Sequence, residues 1–286
     1  MGPTGSGKTT FINLASGGDM RVGAGLKSCT DAVQIAKPFV LDGRTVTLID
    51  TPGFDDTTKS DAQILEMLAD YLSQEYEAGK RLNAVIYVHR ITDVRMSGIS
   101  TRTFRMFRQL CGNGTMSNAA IVTNHWESVD EAVGRAREQE LASQSIFFKL
   151  AFDGGARSYR HYNTVESAHN IIRQLLGNLP KPLLIQEQIV DQHMSLADTD
   201  AGTELSREML QQIENHKEEG RILKEQMEEA IRNKDEQMKR WIEEQSKMME
   251  RETARLRDEI ARLRSCRGRR GLRRVFCEVG RIVGDL

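Results

Sequence analysis

Apolar positions in the first 180 residues fall into short β-rich runs, separated by amphipathic stretches and by Gly, Asn and Asp turns. The runs predict strands over Val33–Leu41, Thr45–Asp50, Ala84–His89, Ala119–Thr123 and Ile146–Leu150. Between them, helical spacing predicts helices over Lys8–Ser16, Asp61–Tyr76, Thr101–Leu110, Val129–Ser143 and Thr164–Leu176. Alternation of this kind gives an α/β domain. Asp42-Gly43 is a two-residue hairpin signal, so the strands beside it should be antiparallel and the others joined by helical crossovers. Leu179-Pro180-Lys181-Pro182 breaks the pattern and closes a domain assigned to residues 1–180.

After a linker assigned to residues 181–204, the composition shifts to Glu, Lys, Arg, Gln and Met, with no proline between Leu205 and Arg264. This predicts one long helix over 205–265. Its apolar stripe, Leu223, Met227, Ile231, Lys234, Met238, Ile242, Gln245, Met249, Thr253, Leu256, Ile260, Leu263, steps 4-4-3. That is an eleven-residue repeat, which winds straight or slightly right-handed rather than as a heptad coil. Lys234 and Gln245 interrupt the seam, so it supports weak or partner-dependent coiled-coil association, or a solvated helix laced with i,i+4 ion pairs. Residues 266–286 form a basic tail in which Arg264, Arg267, Arg269, Arg270, Arg273 and Arg274 crowd beside Leu272, Val275, Phe276, Val279, Ile282 and Val283. Such a segment suits an anionic membrane surface, with Cys266 or Cys277 as acylation sites, and equally suits a solvated tail.

Charge and cysteine content narrow the setting. Lys+Arg 40 against Asp+Glu 41 gives no global reason to expect nucleic acid. Cys29, Cys111, Cys266 and Cys277 contain no C-x-x-C pair, and no signal peptide is read, which together point to the reducing cytoplasm, with peripheral membrane contact through the tail. No apolar run approaches the ~20 residues that cross a bilayer.

The chemistry concentrates at the start. Gly2-Pro3-Thr4-Gly5-Ser6-Gly7-Lys8-Thr9 is a complete G-x-x-x-x-G-K-[ST] phosphate-binding motif, with Thr10 continuing into an amphipathic helix. Its glycines let backbone N–H groups close on a β-phosphate, Lys8 bridges the β- and γ-phosphates, and the Thr9 hydroxyl ligates Mg²⁺. The apolar strand before Asp50-Thr51-Pro52-Gly53 carries Asp50 to the same edge, where it holds the metal while the Gly53 N–H meets the γ-phosphate. Upstream, Thr30 in Ser28-Cys29-Thr30 is a third metal candidate, able to close over Mg²⁺. A buried strand ordinarily precedes such a loop, yet here the loop begins at Gly2, so the expectation is a truncated sequence or a strand recruited from elsewhere.

On the base side, the strand Ala119–Thr123 leads into Asn124-His125-Trp126-Glu127, where a guanine-specific N/T-K-x-D motif would stand. In that register Asn is retained, His125 replaces Lys, and Glu127 supplies the acceptor for guanine, with His125 or Trp126 covering the base. Shifted by one residue, the motif loses its acid. Glu127 would then begin a helix, and Trp126 would be a packing residue.

The order of these motifs over residues 1–176 resembles the septin-like GTPases, specifically the immune-associated nucleotide-binding (GIMAP-type) proteins and their plant and fungal relatives. Ser28-Cys29-Thr30, Asp50-Thr51-Pro52-Gly53-Phe54 and the Arg90-Ile91-Thr92 box carry the resemblance. Gly155-Ala156, with Arg157 beside them, resembles the last guanine-contacting loop. The resemblance implies a Ras-like P-loop fold, GTP/GDP with Mg²⁺ as ligands, homodimers or partners engaged through the G domain and helical arm, and a C-terminal helical or membrane-attaching extension. The fourth motif departs from the family's usual Thr-x-x-Asp, which bears on base selectivity. Phe54 stands where Ras-type enzymes place a water-orienting Gln, so hydrolysis by one domain should be slow. Arg90 and Arg95 follow the strand Ala84–His89. A lone surface arginine is by default solvated, and the Arg90-Ile91-Thr92 match makes Arg90 the candidate for an arginine supplied in trans. The expectation is a slow, dimerisation- or partner-stimulated GTPase acting as a switch or scaffold. A non-hydrolysing nucleotide-gated scaffold and an ATP-binding P-loop enzyme are the alternatives.

Overall fold

The computed structural model of the chain describes residues 1–22, 32–54, 59–93, 98–232 and 236–265. In chain order it contains α1 (Lys8–Ser16), β1 (Gln34–Ile35), β2 (Phe39–Leu41), β3 (Arg44–Val46), β4 (Ile49–Asp50), α2 (Asp61–Glu77), β5 (Val85–Arg90) and α3 (Gly98–Cys111). There follow β6 (Ala119–Asn124), α4 (Glu131–Ser143), α5 (Lys149–Asp153), β7 (Arg157–Arg160) and α6 (Val165–Leu176). Three parallel strands, in the order β5-β6-β7, form the main sheet, with Val85 opposite Ala119 and Ala120 opposite Arg157.

β6 shows why the sheet sits where it does. Its first four residues are all apolar and at most 1 % exposed, as a strand covered on both faces requires. Ala119 and Ile121 join Tyr87, Phe104, Phe107 and Phe148 on one face, while Ala120 and Val122 join Phe11, Ile12, Ile171 and Leu175 on the other. The hairpin at Asp42-Gly43 forms as expected: both residues have positive φ, 50° and 76°, and β2 pairs antiparallel with β3. The longer apolar runs on either side of it are each divided, however, and β1 pairs separately with β4.

One strand was expected in the wrong place. Ile146–Leu150 is no strand; it leads into α5, with Phe148 buried and Ile146 and Leu150 exposed. Its single buried ring meets Tyr87 and Phe104, a pattern that a helical turn satisfies. The partner of β6 is instead Arg157–Arg160, whose polar side chains conceal a strand from a hydrophobicity reading.

The segment before the phosphate loop is represented by Met1–Pro3. The Met1 carbonyl accepts from Val88 N at 2.9 Å, and Pro3 forms a parallel bridge with Phe54. Among the described residues, no strand ladder joins β4 to β5 beyond this stub.

After Pro182 the chain remains packed. The short helix α7 (Leu184–Gln186) continues as a π-turn, and Leu183 and Ile185 are buried. The expected single long helix is two: α8 (Asp200–Arg232) and α9 (Glu236–Ser265). They run antiparallel. His216 Nδ1 lies 3.1 Å from Thr253 Oγ1, Gly220 faces Met249, and Leu223 buries with Ile242. The root of this hairpin joins the main core through Leu205, Met209, Ile213, Leu256, Ile260 and Leu263, and Arg262 pairs with Glu66 of α2 at 3.2 Å. The basic tail, residues 266–286, lies outside the described residues.

Candidate nucleotide site

Three elements converge on the phosphate loop, and three glycines permit it. Gly2, Gly5 and Gly7 all have positive φ, at 139°, 73° and 87°. A Cβ on Gly2 would sit 2.4 Å from Val88 O of β5, and one on Gly7 would sit 2.5 Å from Asn124 Nδ2 at the end of β6. Gly53 meets the opposite side, where a Cβ would fall 2.6 Å from Thr4 N, and Thr4 N donates to Phe54 O at 3.3 Å. The loop is thus clamped between β5, β6 and the Asp50–Gly53 motif, with α1 starting at Lys8 and presenting its N-terminus to the same face.

Lys8 is buried. Its Nζ donates to Gly2 O at 3.0 Å and Pro3 O at 2.8 Å, so the ammonium is held inside the loop, where phosphate oxygens would compete with those carbonyls. Thr9 Oγ1 donates to Asp50 Oδ2 at 2.6 Å, while Asp50 Oδ1 accepts from Thr51 N at 3.0 Å. A hydroxyl and a carboxylate meeting at the mouth of a phosphate loop fit Mg²⁺, which binds one or two protein oxygens plus substrate phosphates and water. Thr30, the remaining metal candidate, lies outside the described residues.

On the base side, Asn124 Nδ2 donates to Ser6 O at 2.6 Å, while Asn124 Oδ1 is buried without a partner. A cavity of about 70 Å³ opens beside it, lined by Gly7, Thr10, Asn124, His125, Glu127 and His161, with Asn163 at its edge. His125 takes the left-handed conformation, φ 60°, and its Nδ1 stands 3.6 Å from Glu127 Oε1; both side chains are substantially exposed. Trp126 does not cover this cavity. It is buried under Gly134, donates to Thr123 O at 3.2 Å and carries the Arg160 guanidinium 4.2 Å above its ring. Glu127 belongs to a short 3-10 turn, Trp126–Ser128, and the next helix, α4, is capped separately by Asp130.

Gly155 and Ala156 are corrected. They precede β7, beside Ser117 and therefore at the end of the sheet remote from Asn124. The loop on the nucleotide side is the one after β7, His161-Tyr162-Asn163. His161 is 2 % exposed, accepts or donates at Ser167 Oγ through Nδ1 at 2.8 Å, and leaves its buried Nε2 without a partner. Burial lowers its pKa, with the neighbouring Glu127 acting in the opposite direction. The signal that could have located this loop was Asn163, a non-glycine residue at φ 56° between a strand and a capped helix.

Phe54 is 2 % exposed and part of the core, so the residue after the Asp50–Gly53 motif cannot reach a water at the phosphates. Arg90 ends β5, pairs with Asp93 at 3.1 Å and extends over the loop, its Nη1 3.8 Å from where a Cβ on Gly5 would be. Arg95 lies outside the described residues.

Residues 1–125 match the family described as 50S ribosome-binding GTPase. The chain is 31 % identical over 133 residues to GTP-binding protein A of Dictyostelium discoideum, a match spanning 45 % of this chain and 28 % of that protein. Among solved structures, it is similar to a structure of the chloroplast translocon components atToc33 and psToc159, for whose GTPase activity dimerisation is important. That similarity has a TM-score of 0.51 and 16 % identity, over 64 % of this chain and 83 % of that one. Toc33 from Arabidopsis thaliana in complex with Mg²⁺ and GMPPNP is 17 % identical with a TM-score of 0.48, over 61 % of this chain and 80 % of that one. The N-terminal part of this chain therefore has the Ras-like P-loop fold that GTPases share, and a helical region follows it; the chain spans less than a third of the curated relative that it matches.

Proposed function

We propose that the chain binds GTP and GDP with Mg²⁺, hydrolyses GTP slowly unless a second copy or a partner assists, and acts as a nucleotide-dependent switch. Within the Ras-like GTPases, the Asp50–Phe54 and Arg90-Ile91-Thr92 motifs support a reading as a relative of the immune-associated branch. The observation that carries the reading is the convergence of three separate pieces on one loop: the Thr9–Asp50 pair, the Lys8 ammonium and the Asn124 tether.

The residues divide the work as follows. Backbone N–H groups of the Gly5–Thr9 turn and the ammonium of Lys8 hold the phosphates, while Thr9 and Asp50 hold the metal. A Mg²⁺ ion held by these two side chains would neutralise negative charge on the phosphates. Asn124 fixes the base loop to the phosphate loop, and its remaining carbonyl oxygen is buried without a partner in a residue that lines the base cavity. Glu127 offers the carboxylate that guanine's ring N–H and amino group require, an arrangement that adenine cannot match. His125, not Trp126, is the side chain placed to flank the base.

With Phe54 committed to the core, no side chain from the Asp50–Gly53 motif orients the attacking water. An arginine is therefore the expected source of transition-state stabilisation, typically worth about 10³–10⁵ in rate. Arg90 is the candidate, released from Asp93 and inserted across a face-to-face pair of G domains. The helical hairpin docked on α2 and α3 then serves as the surface that reads the nucleotide state, and the basic tail as a contact with anionic membrane.

Calorimetric titration with Mg-GTP and Mg-ATP, followed by turnover at rising protein concentration, tests this. The reading expects preference for GTP and specific activity that increases with concentration in the parent but not in Arg90→Ala. Equal affinity for ATP would favour an ATP-binding P-loop enzyme. GTP binding without turnover at any concentration would favour a nucleotide-gated scaffold, for which the buried Phe54 is the supporting observation.

A further inference from the structure

Behind the base cavity, one guanidinium joins three elements. Arg160 is the last residue of β7, in register with Thr123 of β6, and His161-Tyr162-Asn163 follows it directly. Its Nε donates to both carboxylate oxygens of Glu138, at 3.0 and 3.2 Å, and its Nη2 donates to Glu138 Oε2. The same group lies over the Trp126 ring, 4.2 Å from the centroid. Glu138 stands one helical turn beyond Gly134 on α4, so the two share a face. Gly134 meets Trp126 as well, since a Cβ there would come within 2.7 Å of the ring. Covering an aromatic ring and forking onto a carboxylate at once requires a flat cation with several donors, which arginine has and lysine lacks.

The elements joined are the two halves of the base site. Trp126 opens the 3-10 turn Trp126–Ser128, whose next residue is Glu127. His161 and Asn163 line the same cavity from the β7 side, while Arg160 itself does not line it. The halves also meet at Thr123 O, which accepts from His161 N at 2.8 Å and from Trp126 Nε1 at 3.2 Å. A shared acceptor fixes a point but not an orientation. The Arg160 guanidinium, placed over the ring of one half and continuous in chain with the other, fixes the angle between them. Hydrogen bonds to a base edge weaken steeply with misalignment, whereas phosphate contacts from Lys8 and the Gly5–Thr9 turn do not depend on that angle.

We propose that Arg160 is a positioning residue for base selection: without touching the nucleotide, it holds the Glu127 turn and the His161–Asn163 loop at the spacing of a guanine ring. The inference rests on the reading of Glu127 as the acceptor for guanine. The Arg160 and Glu138 side chains are 29 % and 24 % exposed, so their pairing is less open to water than an ordinary surface ion pair.

Calorimetric titration of the full chain with Mg-GDP, Mg-ADP and pyrophosphate tests the role. Arg160→Ala should weaken GDP binding about tenfold, the order expected for losing one stacked and forked charge contact, and leave pyrophosphate within about twofold. The preference for GDP over ADP should narrow accordingly. Arg160→Lys, which keeps the charge but neither the fork nor the plane, should lose nearly as much. Glu138→Gln should show the same pattern more weakly, and adding it to Arg160→Ala should bring no further loss, because the two side chains act as one joint. An unchanged preference for GDP over ADP in Arg160→Ala, full rescue by lysine, or additive losses in the double variant would overturn the proposal. Equal losses for GDP and pyrophosphate would overturn it too, by making Arg160 a general stabiliser of the fold. A parent chain that binds GDP and ADP alike would instead bring down the guanine reading of the site, and this role with it.

Discussion

The amide of Asn124 is expected to serve the phosphates as much as the base. Its Nδ2 donates 2.6 Å to Ser6 O in a buried position, and the contact depends on Gly7, where a Cβ would sit 2.5 Å from that nitrogen. Asn124→Ala removes the donor and leaves a buried carbonyl unsatisfied, a loss of about 1–3 kcal/mol. Asn124→Asp preserves the shape but sets a carboxylate oxygen against that carbonyl, so its loss should be larger. Because the loop conformation is what gathers the N–H groups around the phosphates, the penalty appears in affinity. At 1.4 kcal/mol per factor of ten, the alanine variant should bind roughly 5- to 150-fold more weakly. The informative ligand is pyrophosphate, which has no base. Calorimetry should show Asn124→Ala weakening both GDP and pyrophosphate, with Asn124→Asp weaker still for both. A loss confined to GDP, with pyrophosphate unchanged, would refute the tether and leave Asn124 as a base-contacting residue alone.

Lys8→Ala should eliminate measurable GTP binding by calorimetry while the denaturant midpoint remains cooperative, since the ammonium is the fixed positive charge inside the loop. Burial, with Glu66 adding to it, pushes the Asp70 carboxyl up to about 7, so between about pH 4 and 7 the folded state holds a proton that the unfolded chain, with a carboxyl near ~3.9, has released. Stability therefore falls as pH rises through that window, and Asp70→Asn should flatten the fall in urea midpoints measured from pH 5 to pH 8. Ile242→Ala, which empties the buried contact with Leu223 between α8 and α9, should cost about 2–5 kcal/mol locally. Exchange protection should drop along the hairpin tip while GDP affinity is retained; an equal loss of GDP affinity would show that tip and nucleotide site unfold as one unit.

What the sequence made legible was the part whose chemistry is local. A phosphate loop is fixed by glycines and one lysine within eight positions, so Gly2–Thr9, α1 and the Thr9–Asp50 meeting could be placed before any coordinates. Asp42-Gly43 declared its turn for the same reason: the required backbone angles belong to the residues themselves. The misplaced last strand shows the limit. Ile146–Leu150 looks like a strand by composition, yet in a sheet edge position β7 needs only one apolar face, and Arg157 and Arg160 spend their charges on Asn178 and Glu138 instead of signalling a strand. Moving that strand by some ten residues carried Gly155 and Ala156 to the wrong end of the sheet and hid His161 and Asn163. The role of Trp126 was equally open in sequence, because a tryptophan beside a base motif and a tryptophan beneath a helix glycine are spelled alike. Only the 2.7 Å approach that a Cβ on Gly134 would make to the ring decides between them.

The helical region carries a different lesson about reading a stripe. Of the stripe, Leu223, Ile242, Leu256, Ile260 and Leu263 are buried, and an eleven-residue period along one continuous helix implies a partner to cover it. Folding the stripe at its midpoint provides that partner from the same chain. The contacts His216 with Thr253 and Gly220 with Met249 are those of two helices folded back on each other, and Lys234 lies outside the described residues. Gln245 is tolerated because the tip of the hairpin is thin, with Leu223 and Ile242 as its buried pair. Toward the root the stripe stops being a helix-to-helix seam: Leu256, Ile260 and Leu263 enter the core that also contains Leu65 and Leu68 of α2. That helix begins at Asp61, shortly after the Asp50–Gly53 motif, and its Ser60–Gln63 capping box fixes its start. Any nucleotide-driven shift of α2 is therefore transmitted to the base of the hairpin through packed side chains and the Arg262–Glu66 pair, without requiring the hairpin itself to open.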